Sequence, residues 1–330
     1  MATKEISIKE IAELAGTSTA TVSRVIHGNG RFSKETEARV LAVIEEYNYR
    51  PNVLAQALRQ DRAKLIGVMI PDITQSFFAE IFRSIQLKLY DLGYISILCD
   101  SNENDALEDL YMAGLRNMRF SGLIYVGGKQ QNIGDMAPAT VYVDRYPAGT
   151  SAESPVYYVG SDNFRGGYMA AERLIAAGRT KPAIIIFGRQ LSTQEQRFNG
   201  FCTALRDHGI SPADCQVVNV DEVSFHSGQI ITEKLCSGAV SCDSVFYSSD
   251  ILALGGLQYL NEHQIKVPED ISIIGMDDIP LSSIMGLTTV RQQTHELGQL
   301  AAESVVKLIN GEAVDQMQIL DVELIERGSV

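Results

Sequence analysis

The sequence predicts a small all-α helix-turn-helix domain at residues 1–50, a hinge helix and linker at 51–63, and a 64–330 core of two doubly wound parallel-sheet α/β lobes. Three observations lead there. The first fifty residues hold three short helical patterns, each opened by a capping serine. From Leu65 onward, short β-rich apolar runs alternate with amphipathic helical stretches, as in sheets built by right-handed crossovers. Between the two regions stands a Pro-Asn pair followed by a short apolar segment.

Ser7-Ile8-Lys9-Glu10 reads as a capping box ahead of the apolar set Ile8, Ile11, Ala12 and Ala15. This first helix is expected to stop at Gly16, which supplies the turn. Ser18 caps a second helix, Thr19 to Ile26, with Val22, Val25 and Ile26 facing inward. After the loop His27-Gly28-Asn29-Gly30, Ser33 caps a third helix whose inward stripe is Val40, Leu41, Ile44 and Tyr47. The second helix presents Thr19, Ala20, Ser23 and Arg24, with no carboxylate. Such a face suits a major groove: Arg24 would pair with guanine O6 and N7, Thr19 with a thymine methyl or base edge, and Ala20 permits close approach. Ser18 and Thr21 suit phosphates. The alternative is the solvated face of an ordinary small bundle.

Pro51 restricts Arg50 to extended geometry, Asn52 is a good N-cap, and Leu54 and Leu58 lie one turn apart. Helices below about 12 residues are marginal alone, so order here depends on outside contacts. A linker helix packed on the core is the plainer alternative.

In the core, strands are expected at Leu65 to Ile70, Tyr94 to Cys99, Gly122 to Val126, Thr140 to Val143, Ala183 to Phe187, Gln216 to Val220, Ser244 to Tyr247 and Ile271 to Gly275. Phe78, Ile81, Phe82, Ile85, Leu89 and Leu92 form a helical stripe read as core. Open α/β sheets bind ligands beyond the carboxyl ends of their strands. The residues there are Asp72, Gln75, Phe77 and Phe78, then Asp144 and Arg145, Arg197, Ser249 with Asp250, Asp277, and Gln292. Carboxylates and guanidinium groups bridge sugar hydroxyls, and aromatic rings cover the apolar face of a sugar. Asp144 with Arg145 also reads as a surface ion pair.

The 330 residues carry 45% apolar and 21% charged side chains and a net charge of −13, a globular composition. Residues 1–64 hold ten Lys or Arg against eight Asp or Glu, whereas the remainder holds 18 against 33. A near-neutral nucleic-acid reader on an acidic body fits that asymmetry. No apolar run reaches the roughly 18 residues of a membrane span, and the first residues lack the apolar stretch of a secretory signal. The five cysteines show no metal spacing and read as free thiols in a reducing cytoplasm. G-x-S-x-G, P-loop and H-E-x-x-H motifs are absent, and the five histidines are scattered, so no enzyme, cofactor or metal is expected. His295-Glu296 lacks a second ligand and reads as a solvated helix start, and Gly166-Gly167 reads as a close-packing device rather than a dinucleotide fingerprint.

SIKEIAELAGTSTATVSRVIHG followed by YNYRPNVLAQAL resembles the opening of the LacI/GalR family of bacterial regulators, and the resemblance runs over nearly the whole chain. It joins AGTS at the turn, TVSRV on the second helix and RPN-x-x-A-x-x-L at the hinge. The resemblance implies that Thr19, Ala20 and Arg24 read bases while Ser7, Ser18, Thr21, Tyr49 and Asn52 hold phosphates of double-stranded palindromic operator DNA. His27 belongs to the same surface but departs from the asparagine relatives often carry. Leu58 would wedge into the minor groove, Leu54 and Ala55 would face the partner hinge, and Arg59 would reach a phosphate. The core is similar to the type I periplasmic sugar-binding fold, and Gln75, Phe77, Phe78, Asp144, Arg145, Arg197, Asp277 and Gln292 resemble a ribose-type pocket. Ser249 stands where such pockets often have asparagine, and Val223 near where an aromatic is common. Another sugar, or a sugar phosphate held by Arg145 or Arg197, therefore stays open beside ribose, and a purine corepressor fits less well. The resemblance implies a homodimeric repressor of a carbohydrate operon under sugar control. The alternatives are a regulator whose signal is a phosphorylated partner protein, and a sugar receptor with no DNA role. The end Glu326-Arg327-Gly328-Ser329-Val330 carries no leucine heptads, so dimers rather than tetramers are expected.

Overall fold

A computed structural model describes residues 6–28, 30–47, 49, 64–127, 139–147, 156–188, 191–237 and 242–330. The chain divides into two compact units, Met1–Ala63 and Lys64–Val330.

In the first unit, α1 (Ile8–Leu14), α2 (Thr19–His27) and α3 (Lys34–Glu46) close around Ile11, Ala12, Ala15, Val22, Val25 and Val40. The capping box forms in both directions: Glu10 N–H donates to Ser7 Oγ at 3.3 Å and Ser7 N–H to Glu10 Oε2 at 2.8 Å. At the other end of α1, Gly16 takes φ +61°, its N–H donates to Glu13 O and Thr17 N–H donates to Ala12 O. That pair of bonds satisfies the orphan carbonyls and swings the chain into α2. Ser18 and Ser33 cap α2 and α3 as expected. The stripe on α3 is narrower than the spacing suggests. Val40 is buried, with Val43 and Ile44 packed beside it, whereas Leu41 and Tyr47 are exposed. Tyr47 already serves as the C-cap, outside the helical repeat.

The second unit contains two six-stranded sheets. Lobe 1 has the order β11-β5-β4-β3-β1-β2, from β1 (Leu65–Ile70), β2 (Ile95–Asp100), β3 (Gly122–Val126), β4 (Thr140–Val143), β5 (Tyr157–Ser161) and β11 (Met317–Leu320). Lobe 2 has the order β12-β10-β9-β8-β6-β7, from β6 (Pro182–Phe187), β7 (Gln216–Val220), β8 (Ser244–Tyr247), β9 (Ser272–Asp277), β10 (Thr288–Arg291) and β12 (Glu323–Ile325). All pairs are parallel except β10 with β12. The strand β1 is buried along its whole length, which is why it reads as an unbroken apolar run. On lobe 1, α4 (Ser76–Asp91) and α11 (Thr294–Asn310) pack together on one face of the sheet, and α5 (Asp105–Asn117) brings Leu115 against Gly67. Ile81, Ile85 and Leu89 are fully buried, each worth about 1.5–3 kcal/mol. Leu92, expected on the same stripe, lies past the end of α4 as its C-cap and is exposed. On lobe 2, α6 (Asn163–Ala176) crosses α7 (Ser192–Asp207), and α8 (Phe225–Ser237) crosses α9 (Asp250–Glu262). A short α10 (Pro280–Ile284) follows β9.

The chain passes between lobes at 161–163, 291–294 and 320–323. In each sheet the order reverses beside the first strand, between β1 and β3 and between β6 and β8, which is where a doubly wound sheet opens a crevice. The strands absent from the expected set, β5, β10, β11 and β12, are short or mixed in polarity. The strands β11 and β12 sit at sheet edges, β11 with alternating exposure and β12 exposed at Glu323 and half-buried after it.

Candidate functional site

On the first unit, Thr19, Ala20 and Arg24 are all exposed on α2, and Ser23 is half-buried beside them. Val22 and Val25 turn inward, so the 3.6-residue period separates a reading face from a packing face. Arg24 is laid along the following loop: a Cβ on Gly30, which holds φ +113°, would stand 3.1 Å from Arg24 Cδ. Ser18 Oγ lies 3.0 Å from Thr21 Oγ1 and accepts from Thr21 N–H, placing two hydroxyls at the positive end of α2. Ser7 is exposed at the start of α1, and Tyr49 packs partly on the bundle core while its N–H donates to Ile44 O. The side chain of His27, and Asn52, Leu54, Ala55, Leu58 and Arg59, lie outside the described residues.

In the core, the strand ends of both lobes converge on Arg197. This side chain is only 4% exposed, on the first half of α7. Its place depends on glycine: a Cβ on Gly167 would stand 1.9 Å from Arg197 O, and one on Gly200 1.9 Å from Phe164 O. The backbones of α6 and α7 touch there, which confirms the packing role read for Gly166-Gly167. Arg197 Nε donates to Asn163 Oδ1 at 2.7 Å and Nη1 to Ser248 O at 2.5 Å. Its charge also acts on Asp144 of lobe 1 and Asp277 of lobe 2.

Asp144 follows β4 at φ +69° and is buried. Its N–H donates to Val159 O, and Tyr158 Oη donates to its carbonyl at 2.7 Å. Burial pushes its carboxyl up, Arg145 and Arg197 pull it back, and Glu103 adds a further upward push. Arg145 Nε stands 3.9 Å from Asp144 Oδ2, and its Nη2 pairs with Glu103 Oε1 at 3.0 Å. The surface ion pair that is the alternative reading of Asp144 and Arg145 is therefore present but buried, and Glu103 adds a third charge.

Asp277 ends β9 at φ +128°, followed by Asp278 at φ +57°. Side chains in that region are strained, and strain of this kind gathers at functional sites. The turn is held from outside by Arg291 Nε and Arg327 Nη2, which donate to Asp278 at 2.8 and 2.6 Å. Ser249 Oγ and Gln292 Nε2 donate to the Asp277 carboxylate at 3.1 and 2.7 Å. Burial raises its pKa, the Asp250 charge raises it further, and Arg197, Gln292 and Ser249 oppose them. Asp250 is itself fully buried and accepts from Ile279 N–H, Ser282 Oγ and Thr289 Oγ1, so its carboxylate braces the loop behind Asp277.

Asp72 and Gln75 form a local turn instead of joining this network: Asp72 accepts from Thr74 N–H and Oγ1 and from Gln75 Nε2. Phe77 and Phe78 meet edge to face at 5.2 Å, and Phe78 lies against the backbone at Gly127, just after β3. One direct bond crosses between lobes near the site, from Tyr146 N–H to Ser192 Oγ at 2.8 Å. Among the described residues, buried side-chain atoms with no hydrogen-bond partner include Asp100 Oδ1, Arg145 Nη1, Ser161 Oγ, Ser248 Oγ and Gln292 Oε1. These five lie at a strand's last residue or within two residues past it, whereas Thr140 Oγ1 at the start of β4 and Arg173 Nε in α6 are unmatched elsewhere. An unmet buried polar atom costs about 1–3 kcal/mol, so this grouping points to a polar ligand. Among the described residues no cluster fit to hold a metal is found, and no helix is long and apolar enough to cross a membrane.

Sequence reasoning passed over Asp100, Glu103, Asn163 and Ser248. Asp100 was within reach of the strand-end rule, since it directly follows the expected strand Tyr94 to Cys99. Asn163 and Ser248 act through partners 34 and 51 residues away, which no local pattern reveals.

Comparison with known proteins agrees with this layout. Residues 7–52 match the model of bacterial regulatory proteins of the lacI family, and residues 171–330 match a periplasmic binding protein-like domain. The ribose operon repressor of Escherichia coli strain K12 is 30% identical over 333 residues, covering 98% of this chain and 99% of that protein. The crystal structure of the lac repressor dimer bound to operator and the anti-inducer ONPF superposes with a TM-score of 0.85 at 25% identity, over 99% of each chain. A LacI family transcriptional regulator from Enterococcus faecium with bound ribose gives 0.71 at 28% identity, over 80% of this chain and 98% of that one. Together with these matches, a helix-turn-helix unit followed by a two-lobed binding-protein-like core marks a DNA-binding transcription regulator. The chain belongs to the lacI family of bacterial regulatory proteins.

Proposed function

We propose that the protein is a cytoplasmic homodimeric repressor of a carbohydrate-utilisation operon, whose hold on a palindromic operator is set by a sugar bound between the two core lobes. Residues 1–50 read DNA, 51–63 form the hinge and 64–330 bind effector and partner. Thr19, Ala20 and Arg24 read base edges, and Ser7, Ser18, Thr21, His27, Tyr49, Asn52 and Arg59 line the backbone, with Leu58 as the minor-groove wedge. In the core, Asp144, Arg145, Arg197, Ser249, Asp277 and Gln292 bind hydroxyls, Phe77 and Phe78 cover the apolar face of the sugar, and Asp72 fixes Gln75 at the rim.

The observation that carries the effector reading is the convergence of Asp144, Arg197 and Asp277 from two lobes, ringed by unmatched buried polar atoms. Such a set suits a small molecule rich in hydroxyls better than a protein surface. The relatives named for ribose repression and solved with ribose support a monosaccharide of that size. For the dimer, lobe 1 leaves Leu87 and Tyr90 of α4, Ile95 and Leu98 of edge strand β2, and Leu110 of α5 exposed. An apolar face beside an open sheet edge requires a cover, and a second copy supplies it. Ligand closure of the lobes would shift that face and the spacing of the paired hinges.

A thermal-shift panel of free sugars and sugar phosphates, followed by a gel shift on the DNA upstream of the protein's own locus with the hit added, tests this reading. A ligand at about 100 times its Kd adds about 2.7 kcal/mol of stability. A panel with no hit would favour control by a phosphorylated protein partner.

A further inference from the structure

We propose that Glu103 makes the effector site select uncharged sugars over phosphorylated ones, by occupying the Arg145 guanidinium that a phosphate would take. The inference rests on the cleft between the lobes being the effector site.

Glu103 sits in a tight turn after β2, where Asn102 and Glu103 hold successive left-handed angles of +47° and +56°. Asparagine tolerates that conformation, but glutamate seldom adopts it, so the position is held by its surroundings. Glu103 N–H donates to Pro71 O, Ser101 N–H to Ile70 O, and Asn104 N–H to Ser101 O, which pins the turn against the end of β1. The side chain thus reaches Arg145 from a fixed base, at 3.0 Å, and is itself 27% exposed.

The consequence lies in the charge balance. Among the described residues, Arg145 and Arg197 are the cations that act on Asp144, Arg197 also acts on Asp277, and Glu103 brings a partly exposed carboxylate onto Arg145. Arg197 is committed to Asn163 and Ser248 and stands between two carboxylates. Arg145, whose side chain is 9% exposed, has one edge toward Asp144 and one terminal nitrogen on Glu103. Only Nη1 is left, buried and without a partner, enough to donate to one neutral hydroxyl. A phosphate dianion prefers both arms of a free guanidinium fork, and at Arg145 it would have to displace the Glu103 carboxylate and lie against its charge. Two further unmatched atoms at strand ends, Asp100 Oδ1 and Gln292 Oε1, are acceptors that ask for hydroxyl donors, which a phosphate ester lacks at its charged end.

Titration calorimetry on the full chain tests this with D-ribose, D-xylose and D-fructose and with their phosphate esters. The wild type is expected to bind a neutral sugar at least about 100-fold more tightly than its ester. Glu103→Gln is expected to narrow that ratio at least about tenfold while neutral-sugar affinity changes less, and Glu103→Asp is expected to keep the rejection. Raising the salt should narrow the wild-type ratio more than the Glu103→Gln ratio, a response that mere loss of packing would not give. A wild type that prefers the ester, or a ratio untouched in Glu103→Gln, would overturn the proposal while leaving the effector reading intact. Failure of both proteins to bind any of these compounds would remove the effector reading and the proposal together.

Discussion

Replacing Arg197 by Met keeps a long side chain in place but removes the one cation among the described residues that acts on both Asp144 and Asp277. Asn163 Oδ1 and Ser248 O lose donors held at 2.7 and 2.5 Å, buried Asp277 loses its counter-charge, and buried Asp144 keeps only that of Arg145. Removing one partner of a buried ion pair costs about 3–5 kcal/mol. For a unit of this size about 2 °C of Tm accompanies each kcal/mol, so a fall of roughly 6–10 °C is expected at about pH 8. The pH dependence follows from linkage. Both carboxyls already have raised pKa values in the folded state, and the substitution raises them further above the unfolded value of about 3.9. A group with a raised carboxyl pKa destabilises the fold as pH climbs from the unfolded to the folded value, and the loss is complete above it. The defect should therefore be smaller at about pH 5 than at about pH 8. Circular-dichroism melts of both proteins at the two pH values, without sugar, give the answer. A loss equal at both, or below about 2 °C at the higher pH, would refute the view that Arg197 holds two buried carboxylates together.

Three other outcomes follow from the same geometry. Arg24→Ala should weaken binding to the symmetric upstream site by about 1–3 kcal/mol and relax its sequence preference, measured by fluorescence anisotropy against a scrambled duplex; an equal loss on both duplexes would reassign Arg24 to the backbone. Gly167→Ala would place a methyl 1.9 Å from Arg197 O, so α6 and α7 must part. A stability loss of about 1–3 kcal/mol together with weaker sugar binding is expected in melts and calorimetry, and unchanged sugar affinity would show that Arg197 tolerates the shift. Sugar hydroxyls donating to Asp277 favour its ionised form, so affinity should rise with pH until the raised Asp277 value is passed and then level off. Calorimetry from about pH 5 to about pH 8 checks the slope, and a falling affinity would exclude Asp277 as an acceptor.

How far the sequence could be read depended on how local each determinant was. Ser7, Ser18 and Ser33 announced their helices because a cap is a contact between near neighbours. The strand Leu65–Ile70 was legible to the residue because a fully buried parallel strand is apolar throughout. The edge strands Met317–Leu320 and Glu323–Ile325 were not, since half-exposed segments of three or four residues carry little pattern. Leu41 failed because an apolar residue at helical spacing is no guarantee of a partner, and its surface is exposed in the described unit. Among site residues, the strand-end rule located Asp144, Ser249, Asp277 and Gln292, which the structure links through Arg197 or through direct bonds. It overvalued Asp72, whose carboxylate is taken up by its own turn. Glu103 escaped because its role follows from two left-handed residues and a contact 42 positions along the chain. Strain at a non-glycine residue cannot be inferred from composition.

A regulator of this design requires that the core ligand and operator DNA influence each other. Thermodynamic linkage demands reciprocity: whatever factor the sugar applies to operator affinity, the operator must apply to sugar affinity. Anisotropy titrations of the upstream DNA with and without saturating sugar, paired with calorimetric sugar titrations with and without that DNA, measure both factors. Two matching factors of at least about fivefold are predicted. Tight binding of both ligands, with both factors equal to one, would contradict that requirement.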